Sequence, residues 1–326
     1  MKILIIRFSA LGDLVTLEPT FRAFRFFFKS SHITFLTSYV GKSLYKDTKY
    51  FDNFVVFEDF LNTVKSLRGE KYDLVVNLQC NKPSHYINFF IKKDRTVNKS
   101  YNFWQKIFHI KVVSKSPEEL LIKCGVEKDK VESFFKKNSI IELPLKIDKD
   151  IEKEIKERVA DKKIVVLAMG ASKRWVSKKW GIDNYEKLID KLKEDFGIIL
   201  IGTKLEESDA KILSKKYSEV INFVNRTDLK GLKSVLKIAD LVVGSDSGPM
   251  HLAASVGSDT YIIFTSTDKK HSPRFGSYKG KHYFATPSKK ITCYPCYKSR
   301  CPKDMECAKD ISVDKVYEDI KEILNG

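Results

Sequence analysis

The fold of this chain is decided by a stretch of 14 residues, Leu241-Val242-Val243-Gly244-Ser245-Asp246-Ser247-Gly248-Pro249-Met250-His251-Leu252-Ala253-Ala254. A short apolar strand, a turn of small residues and an apolar helix follow one another within it. Such a junction presents the backbone N–H groups of a helix N-terminus at the end of a buried strand. The stretch therefore predicts an α/β unit whose turn offers an anion site suited to a diphosphate.

The same alternation of short apolar runs and helical patterns extends along the rest of the chain. The first series of strand candidates is Lys2–Phe8, Ile33–Thr37, Phe54–Phe57 and Leu74–Leu78. The second series is Ile164–Ala168, Ile198–Ile201, Val220–Asn222, Leu241–Val243 and Tyr261–Phe264. Strands that alternate with helices imply parallel sheets.

A highly charged stretch, residues 146–163, separates the two series of strands. A chain of 326 residues is long enough for two domains. We therefore expect two doubly wound α/β domains, residues 1–155 and 156–326, that face a central cleft. Ligands of such sheets bind outside the carboxyl ends of the strands, so the turns there are candidate sites.

Within the deciding stretch, Asp246, Ser247 and His251 are the side chains with chemistry to offer. Asp246 and Ser247 are suited to contact a donor hydroxyl, and Gly248 lets the backbone approach a ligand closely. The alternative is structural: Asp246 and Ser247 cap the helix, and His251 is a packed helix residue.

A basic loop follows the strand candidate Ile164–Ala168. It reads Gly170-Ala171-Ser172-Lys173-Arg174-Trp175-Val176-Ser177-Lys178-Lys179-Trp180. Lysine and arginine at a strand end are able to neutralise a diphosphate leaving group. The alternative is a solvated basic loop in which Trp180 anchors the next helix.

The first turn of the chain, Ser9-Ala10-Leu11-Gly12-Asp13, ends in a carboxylate at a helix start. Asp13 is placed to accept a proton from an acceptor hydroxyl, or it only complements the helix dipole. The turn has neither the glycine pattern of a dinucleotide fingerprint nor that of a Walker-type phosphate loop.

The chain is strongly basic, with a formal net charge of +17. Such a charge favours acidic partners such as nucleic acid, anionic membranes or phosphorylated substrates, although a lysine-rich surface alone would also give it. Two concentrations of basic residues are local: residues 269–303, and the aromatic-rich residues 82–115. No run approaches the roughly 18 apolar residues of a membrane span, and no signal peptide is evident, so we expect a cytoplasmic protein.

Four of the six cysteines cluster near the end of the sequence, at Cys293, Cys296, Cys301 and Cys307. In a cytoplasmic chain, clustered cysteines favour a metal or redox site over a disulfide framework. The spacing is irregular for a zinc ribbon, and reduced thiols or a local staple are equally compatible with it. We assign no metal ligand and no cofactor.

Three motifs in this order resemble the lipopolysaccharide heptosyltransferases, glycosyltransferase family 9. The family's first turn ends in Gly-Asp, here Gly12-Asp13, and its middle motif places a basic K-x-W element after a Gly-Ala turn, here Lys178-Lys179-Trp180. Its late motif, D-[ST]-G-x-x-H-L-A, matches Asp246–Ala253 throughout and is the most specific of the three. The resemblance spans nearly the whole chain.

The resemblance implies a GT-B fold of two Rossmann-like domains. It implies an inverting, metal-independent transfer of heptose from ADP-heptose to the lipopolysaccharide inner core. Asp13 would be the general base, and Ser9 and Gly12 would lie at the acceptor. The donor side would comprise Lys178 at the diphosphate, together with Glu206, Asp246, Ser247, Gly248 and His251.

The implied partners are ADP-heptose and a phosphorylated glycolipid of the Kdo-lipid A type. The basic aromatic stretch 82–115 would then meet the inner membrane surface. Two alternatives stay open. The same cleft is compatible with another nucleotide-sugar donor. The positive charge is compatible with a nucleic-acid-binding protein, but that function would not explain the Asp246–His251 motif. We therefore expect no nucleic-acid partner.

Overall fold

The computed structural model of the chain describes residues 1–99, 116–144, 146–269 and 277–326. Its contacts divide the chain into two compact units, Met1–Ile140 and Ile141–Gly326. Part of each basic stretch noted above, residues 100–115 and 270–276, lies outside the described residues. Among the described helices, none is both long enough and apolar enough to cross a membrane.

The first unit is built on a five-stranded parallel sheet of order β3-β2-β1-β4-β5. Its strands are β1 Lys2–Ile6, β2 His32–Thr37, β3 Asn53–Val56, β4 Lys71–Asn77 and β5 Lys92–Asn98. Its described helices are α1 Leu11–Thr16, α2 Glu18–Phe27, α3 Tyr39–Tyr45, α4 Phe60–Leu67, α5 Lys82–Phe90, α6 Pro117–Lys123 and α7 Lys128–Asn138. The central strand β1 is fully buried from Ile3 to Ile6, as expected of a parallel strand covered on both faces.

The apolar pattern over Leu14–Phe28 forms two helices, α1 and α2, and not one. Pro19 occupies the first turn of α2, where its missing N–H is not needed. Inside a continuous helix the same residue would remove a hydrogen bond and clash with the preceding turn. The chain therefore breaks at Leu17, which caps both helices.

The second unit contains a six-stranded parallel sheet of order β11-β10-β9-β6-β7-β8. Its strands are β6 Ile164–Ala168, β7 Gly197–Ile201, β8 Ile221–Asn222, β9 Leu241–Ser245, β10 Thr260–Ile263 and β11 His282–Ala285. Its described helices are α8 Lys149–Val159, α9 Ile182–Leu192, α10 Glu207–Lys216, α11 Leu229–Ile238, α12 Gly248–Ser255, α13 Glu306–Asp310 and α14 Val313–Asn325, with 3₁₀ turns at Val176–Lys178 and Lys204–Glu206.

The helix α8 belongs to the second unit because it packs against α11. A side chain at Gly231 of α11 would collide with Ile151, whose Cδ1 atom lies 2.6 Å from the position of a Cβ. The backbone N–H of Asp148 donates to the hydroxyl of Ser234 at 2.7 Å. The expected division after residue 155 falls inside this helix, whereas the contacts in the structure divide the chain after Ile140.

In both sheets the first strand in sequence lies near the centre, and the order in which later strands are added changes sides next to it. In the second unit β6 pairs with β7 on one side and with β9 on the other. This is the topological switch point of a doubly wound sheet, where a crevice forms outside the carboxyl ends of the strands. The loops after β6 and β9 therefore open onto the same crevice of this unit.

Candidate functional site

Lys178 and Asp246 meet at the switch point of the second unit. The Nζ atom of Lys178 lies 2.7 Å from Asp246 Oδ2 and 3.2 Å from the Asp246 carbonyl oxygen. The two residues are 68 positions apart in sequence and follow the neighbouring strands β6 and β9. Their side chains are only 20% and 13% exposed, so the ion pair is largely shielded from water.

Asp246 is the centre of a small polar cluster. Its Oδ2 atom also accepts a hydrogen bond from the Thr267 hydroxyl at 3.0 Å. Its Oδ1 atom lies 3.8 Å from Nε2 of His251, one turn along α12. The structure thus brings together three of the residues that the sequence nominated, Lys178, Asp246 and His251.

His251 is held from its other ring nitrogen. Its Nδ1 atom lies 3.1 Å from the hydroxyl of Tyr278, and the side chain is 8% exposed. The contact with Tyr278 sets the orientation of the imidazole ring and turns Nε2 towards Asp246. His251 is therefore both packed in the helix and directed at Asp246, which combines the two readings of this residue.

Ser247 stands at the N-cap of α12, followed by Gly248 and Pro249 in the first turn. Its side chain makes no capping hydrogen bond. Its hydroxyl oxygen is buried and has no hydrogen-bond partner within the part of the chain that the structure describes. Buried hydroxyls are nearly always paired, so capping does not account for this serine.

The basic loop presents Lys178 through its 3₁₀ turn. The ammonium group of Lys178 also lies 5.3 Å from the centre of the Trp175 ring, a cation–π distance. Trp180 is 2% exposed, and its indole N–H donates to the carbonyl of Ile311 at 3.0 Å. Trp180 is therefore an anchor of the loop, as its alternative reading supposed.

Glu206 lies at the next strand end, after β7, and is 2% exposed. Its Oε2 atom accepts hydrogen bonds from the backbone N–H and the hydroxyl of Thr203 at 3.1 and 2.9 Å. Lys179 lies 3.5 Å from its Oε1 atom. A Cβ on Gly170 would lie 2.9 Å from the Glu206 carboxyl carbon, so any side chain at position 170 would require the Glu206 carboxylate to move.

In the first unit, Asp13 lies in the first turn of α1 and pairs with Arg7 from the end of β1. Nη2 of Arg7 is 2.8 Å from Asp13 Oδ2, and the aspartate side chain is 38% exposed. The backbone N–H of Ala10 donates to the same oxygen at 3.3 Å. The backbone N–H of Ser9 lies 3.4 Å from Oε1 of Gln79, which follows β4. The turn and the first helical turn after the central strand β1 thus contain Ser9, Gly12 and Asp13.

The four clustered cysteines line one pocket together with Ser177, Thr265 and Ser266. They are free thiols, and burial raises the pKa of Cys307. Among the described residues no group of three histidine, cysteine or carboxylate side chains is arranged to hold a metal ion. The backbone N–H of Ser177 donates to the carbonyl of Ser299 at 3.2 Å, so the cysteine segment braces the turn that carries Lys178.

Sequence reasoning missed Thr267 and Tyr278, the two residues that hold Asp246 and His251. Thr267 follows β10, the neighbour of β9, and position after a strand of the same sheet was the available signal. Tyr278 precedes the edge strand β11, which the sequence analysis did not predict. Nothing in its local sequence marks it as a partner of a histidine 27 positions away.

Comparison with known proteins places the chain in a family. Residues 60–305 match glycosyltransferase family 9 (heptosyltransferase). A lipooligosaccharide heptosyltransferase 2 from Campylobacter jejuni is 26% identical, over an alignment that covers 100% of this chain and 99% of the relative.

Solved structures share the fold at low identity. The Escherichia coli ADP-heptose lps heptosyltransferase II has a TM-score of 0.73 and 16% identity, and the alignment covers 99% of this chain and 98% of that chain. A family 9 glycosyltransferase from Veillonella parvula has a TM-score of 0.72 and 16% identity, with 99% and 97% covered. The expected α/β class, with a parallel sheet in each of two Rossmann-like units, is confirmed. The chain belongs to glycosyltransferase family 9 (heptosyltransferase), and it is therefore a glycosyltransferase of the GT-B fold class.

Proposed function

We propose that this glycosyltransferase moves a heptose from ADP-heptose to the inner core of lipopolysaccharide, with inversion and without a metal. The observation that carries the proposal is the contact of Lys178 with Asp246 at the carboxyl ends of β6 and β9. It puts a cation beside the N-terminus of α12, whose backbone N–H groups and dipole also favour an anion. A nucleoside diphosphate fits this combination.

The second unit would hold the donor. Lys178 and the first turn of α12, including Ser247 and Gly248, would contact the diphosphate. Asp246 and His251 would face the sugar, and Glu206 would accept a hydrogen bond from a ribose hydroxyl. Negative charge develops on the leaving diphosphate, and preorganised cations and N–H groups stabilise it in the transition state.

The first unit would hold the acceptor, a phosphorylated glycolipid of the Kdo-lipid A type. Asp13 would remove the proton from the acceptor hydroxyl as its oxygen attacks the anomeric carbon of the donor. Attack on the face opposite the leaving group inverts that carbon. Arg7 holds the carboxylate in place, and Ser9 and Gly12 shape the turn that would meet the acceptor. The enzyme would work at the cytoplasmic face of the inner membrane.

The test is thermal unfolding with ADP, UDP, GDP and CMP, each with and without its sugar, followed by a transfer assay with ADP-heptose. A ligand that binds only the folded state stabilises it by about 2.7 kcal/mol at 100 times its dissociation constant. We expect stabilisation by ADP and ADP-heptose alone, and transfer without added metal. Stabilisation by another nucleotide would mean that the donor is a sugar of that nucleotide and not ADP-heptose. Binding to DNA in the absence of any nucleotide would contradict the proposal.

A further inference from the structure

The pocket beside Ser177 contains four of the six cysteines of the chain. Cys293, Cys296 and Cys301 are partly exposed, whereas Cys307, in α13, is buried. The cavity that their side chains line has a volume of about 10 Å³, close to the space that one water molecule needs. Thiols that share so small a cavity come within reach of one another after a small movement of the chain.

The other residues of this pocket are sequence neighbours of the candidate donor site. Ser177 directly precedes Lys178. Ser266 directly precedes Thr267, whose hydroxyl donates to Asp246 at 3.0 Å. Ser177 and Ser266 are each 1% exposed, and their hydroxyl oxygens are 3.1 Å apart. A displacement of either loop on the side of the pocket would therefore disturb the ion pair of Lys178 and Asp246.

The segment that carries the cysteines is hydrogen-bonded to both of these loops. The backbone N–H of Ser177 donates to the carbonyl of Ser299 at 3.2 Å. The backbone N–H of Tyr297 donates to the carbonyl of Ser266 at 3.0 Å. Tyr297 and Ser299 lie four and two positions before Cys301. A change in the position of Cys301 is therefore passed on to the two loops that hold the candidate site.

Cys301 is placed to meet a reagent from solution, and in particular an anionic one. It is partly exposed, and Arg300 and Lys303 lie beside it in a stretch, residues 289–303, that contains no Asp or Glu. These positive charges attract an anionic small disulfide such as oxidised glutathione. A glutathione group is far larger than the cavity, so it would stay at the rim of the pocket.

Cys307 is the thiol inside the pocket that such a reagent does not reach. Its pKa is raised by burial and, to a smaller extent, by the negative charges that Cys301 and Cys296 carry when they are ionised. Charges act on one another in this way only over short distances, and Cys301 has the larger effect of the two. The partly exposed Cys301 thus has a shielded second thiol close by.

We propose that Cys301 and Cys307 form a reversible disulfide when the chain meets a low-molecular-weight disulfide, and that this modification weakens donor binding. The thiol of Cys301 attacks the small disulfide as its thiolate, which leaves a mixed disulfide on Cys301 and releases the first small thiol. Cys307 then attacks the Cys301 sulfur, and its proton leaves with the second small thiol. Two protein thiols are oxidised, and one small disulfide is reduced to two thiols.

The disulfide would change the donor site because it moves the segment that supports it. A disulfide holds its two sulfur atoms about 2.05 Å apart, closer than two free thiols can lie. Its formation would draw Cys301 towards α13, and with it Ser299, which accepts the N–H of Ser177. The turn that carries Lys178 would lose this support. The effect on donor binding rests on the proposed function, whereas the formation of the disulfide does not.

The first measurement is the disulfide itself. The full chain is treated with oxidised glutathione, its remaining thiols are blocked in denaturant, and the product is digested with trypsin. Cleavage after Arg300, Lys303 and Lys309 places Cys301 and Cys307 in separate peptides. Mass spectrometry should therefore find these two peptides linked, and dithiothreitol should separate them. Absence of the linked pair would overturn the proposal.

The second measurement is calorimetric titration of ADP into the reduced and the oxidised chain. Oxidation should raise the Kd for ADP by about fivefold or more, the usual range of coupling between two sites, and dithiothreitol should restore it. Cys301→Ser should bind ADP like the reduced wild type and should not respond to oxidation. The matched control is Cys293→Ser, which removes another partly exposed thiol of the same pocket and should keep the response. A response in Cys301→Ser, or its loss in Cys293→Ser, would contradict the assignment of the pair.

Tryptophan fluorescence separates a failure of this inference from a failure of the proposed function. The ring of Trp175 lies beside the ammonium group of Lys178, so oxidation should change its emission without any nucleotide, and Trp175→Phe should remove the change. A reduced chain that binds no nucleotide but shows this change would reject the proposed function and retain the switch. A chain that carries the disulfide with neither change would reject the switch. So would a metal ion that elemental analysis finds on the native thiols and that prevents their oxidation.

Discussion

The guanidinium of Arg7 lies 2.8 Å from the carboxylate of Asp13, and its other terminal nitrogen donates to the carbonyl of Leu78 at 2.8 Å. One side chain thus ties the end of β1, the end of β4 and the first turn of α1 together. The carboxylate that we propose as the general base is therefore fixed by an arginine that is itself fixed by the sheet. This arrangement makes the roles of the two residues separable by experiment.

Asp13→Asn is expected to lower kcat by about 10²–10⁴-fold, because the amide cannot accept the proton of the acceptor hydroxyl. Stabilisation by ADP should be unchanged, since the donor would bind in the other unit. The matched control is Asp94→Asn, which alters an exposed carboxylate paired with Lys71 in the same unit. Normal transfer by Asp13→Asn would remove the assignment of the base.

Arg7→Met is expected to lower kcat while leaving KM for the donor close to that of the wild type. The variant keeps the carboxylate of Asp13 but removes the contact that orients it. Catalytic groups that are misplaced lose much of their effect on the rate. Arg7→Lys should restore part of the rate because it keeps a cation near Asp13. Steady-state kinetics on the three proteins make the comparison. A change confined to the donor KM would speak against a positioning role.

Lys178→Met is expected to weaken ADP binding in calorimetry, because it removes the cation from the proposed diphosphate site. It also leaves Asp246 without its ion-pair partner in a largely buried position, which should lower the free energy of unfolding by about 1–3 kcal/mol. Lys178→Met/Asp246→Asn should recover part of that stability but none of the affinity. If the double variant also recovered ADP binding, Lys178 would serve the fold alone.

Glu206→Ala is expected to remove discrimination between ADP and 2′-deoxy-ADP. A buried carboxylate that accepts a ribose hydroxyl penalises a ligand without that hydroxyl, by roughly tenfold for one such contact. The wild type should therefore prefer ADP, and the variant should bind both nucleotides alike. The comparison needs only binding titrations. An equal preference for ADP in both proteins would show that Glu206 supports the Thr203 turn and does not contact the donor.

Alkylation of the native protein should separate the cysteines into two groups. Burial raises the pKa of Cys124 to about 12, with the nearby charge of Arg95 opposing the shift. Burial also raises the pKa of Cys307. A thiol with a raised pKa has little of the reactive thiolate at neutral pH. Mass spectrometry after iodoacetamide treatment should find these two unmodified while the partly exposed cysteines react, and rapid labelling of Cys124 would contradict its burial.

The interior strands of both sheets were predictable from the sequence, and so were the edge strands β3 and β8, whereas the edge strands β5 and β11 were not. The strands β6 and β9 read as short apolar runs because parallel strands at the centre of a sheet are buried on both faces. The strand β5, Lys-Lys-Asp-Arg-Thr-Val-Asn, is an edge strand with mostly polar residues, and its pattern gives no signal. The edge strand β11 was missed as well, since it has four residues and only its last is buried.

The candidate site was predictable as a set of residues but not as a set of contacts. The motifs nominate Lys178, Asp246 and His251 because each follows a strand end or opens a helix. Lys178 pairs with Asp246 because β6 lies beside β9 in the sheet. The local spacing of apolar residues predicts strands but does not predict their order in a sheet. The hydroxyl of Thr267 joins the cluster for the same reason, from a loop that carries no motif.

In each sheet the strand that is synthesised first lies at the centre. The strand β6 leaves the ribosome as five consecutive buried residues, and its second neighbour β9 begins at Leu241, 73 positions after Ala168. Until then one side of β6 has no backbone partner, and contacts between distant residues form slowly. Growing chains that expose such strands are prone to aggregation. A ribosome-bound chain that stops before residue 241 should therefore depend on a holding chaperone, whereas a chain that extends past β10 should not.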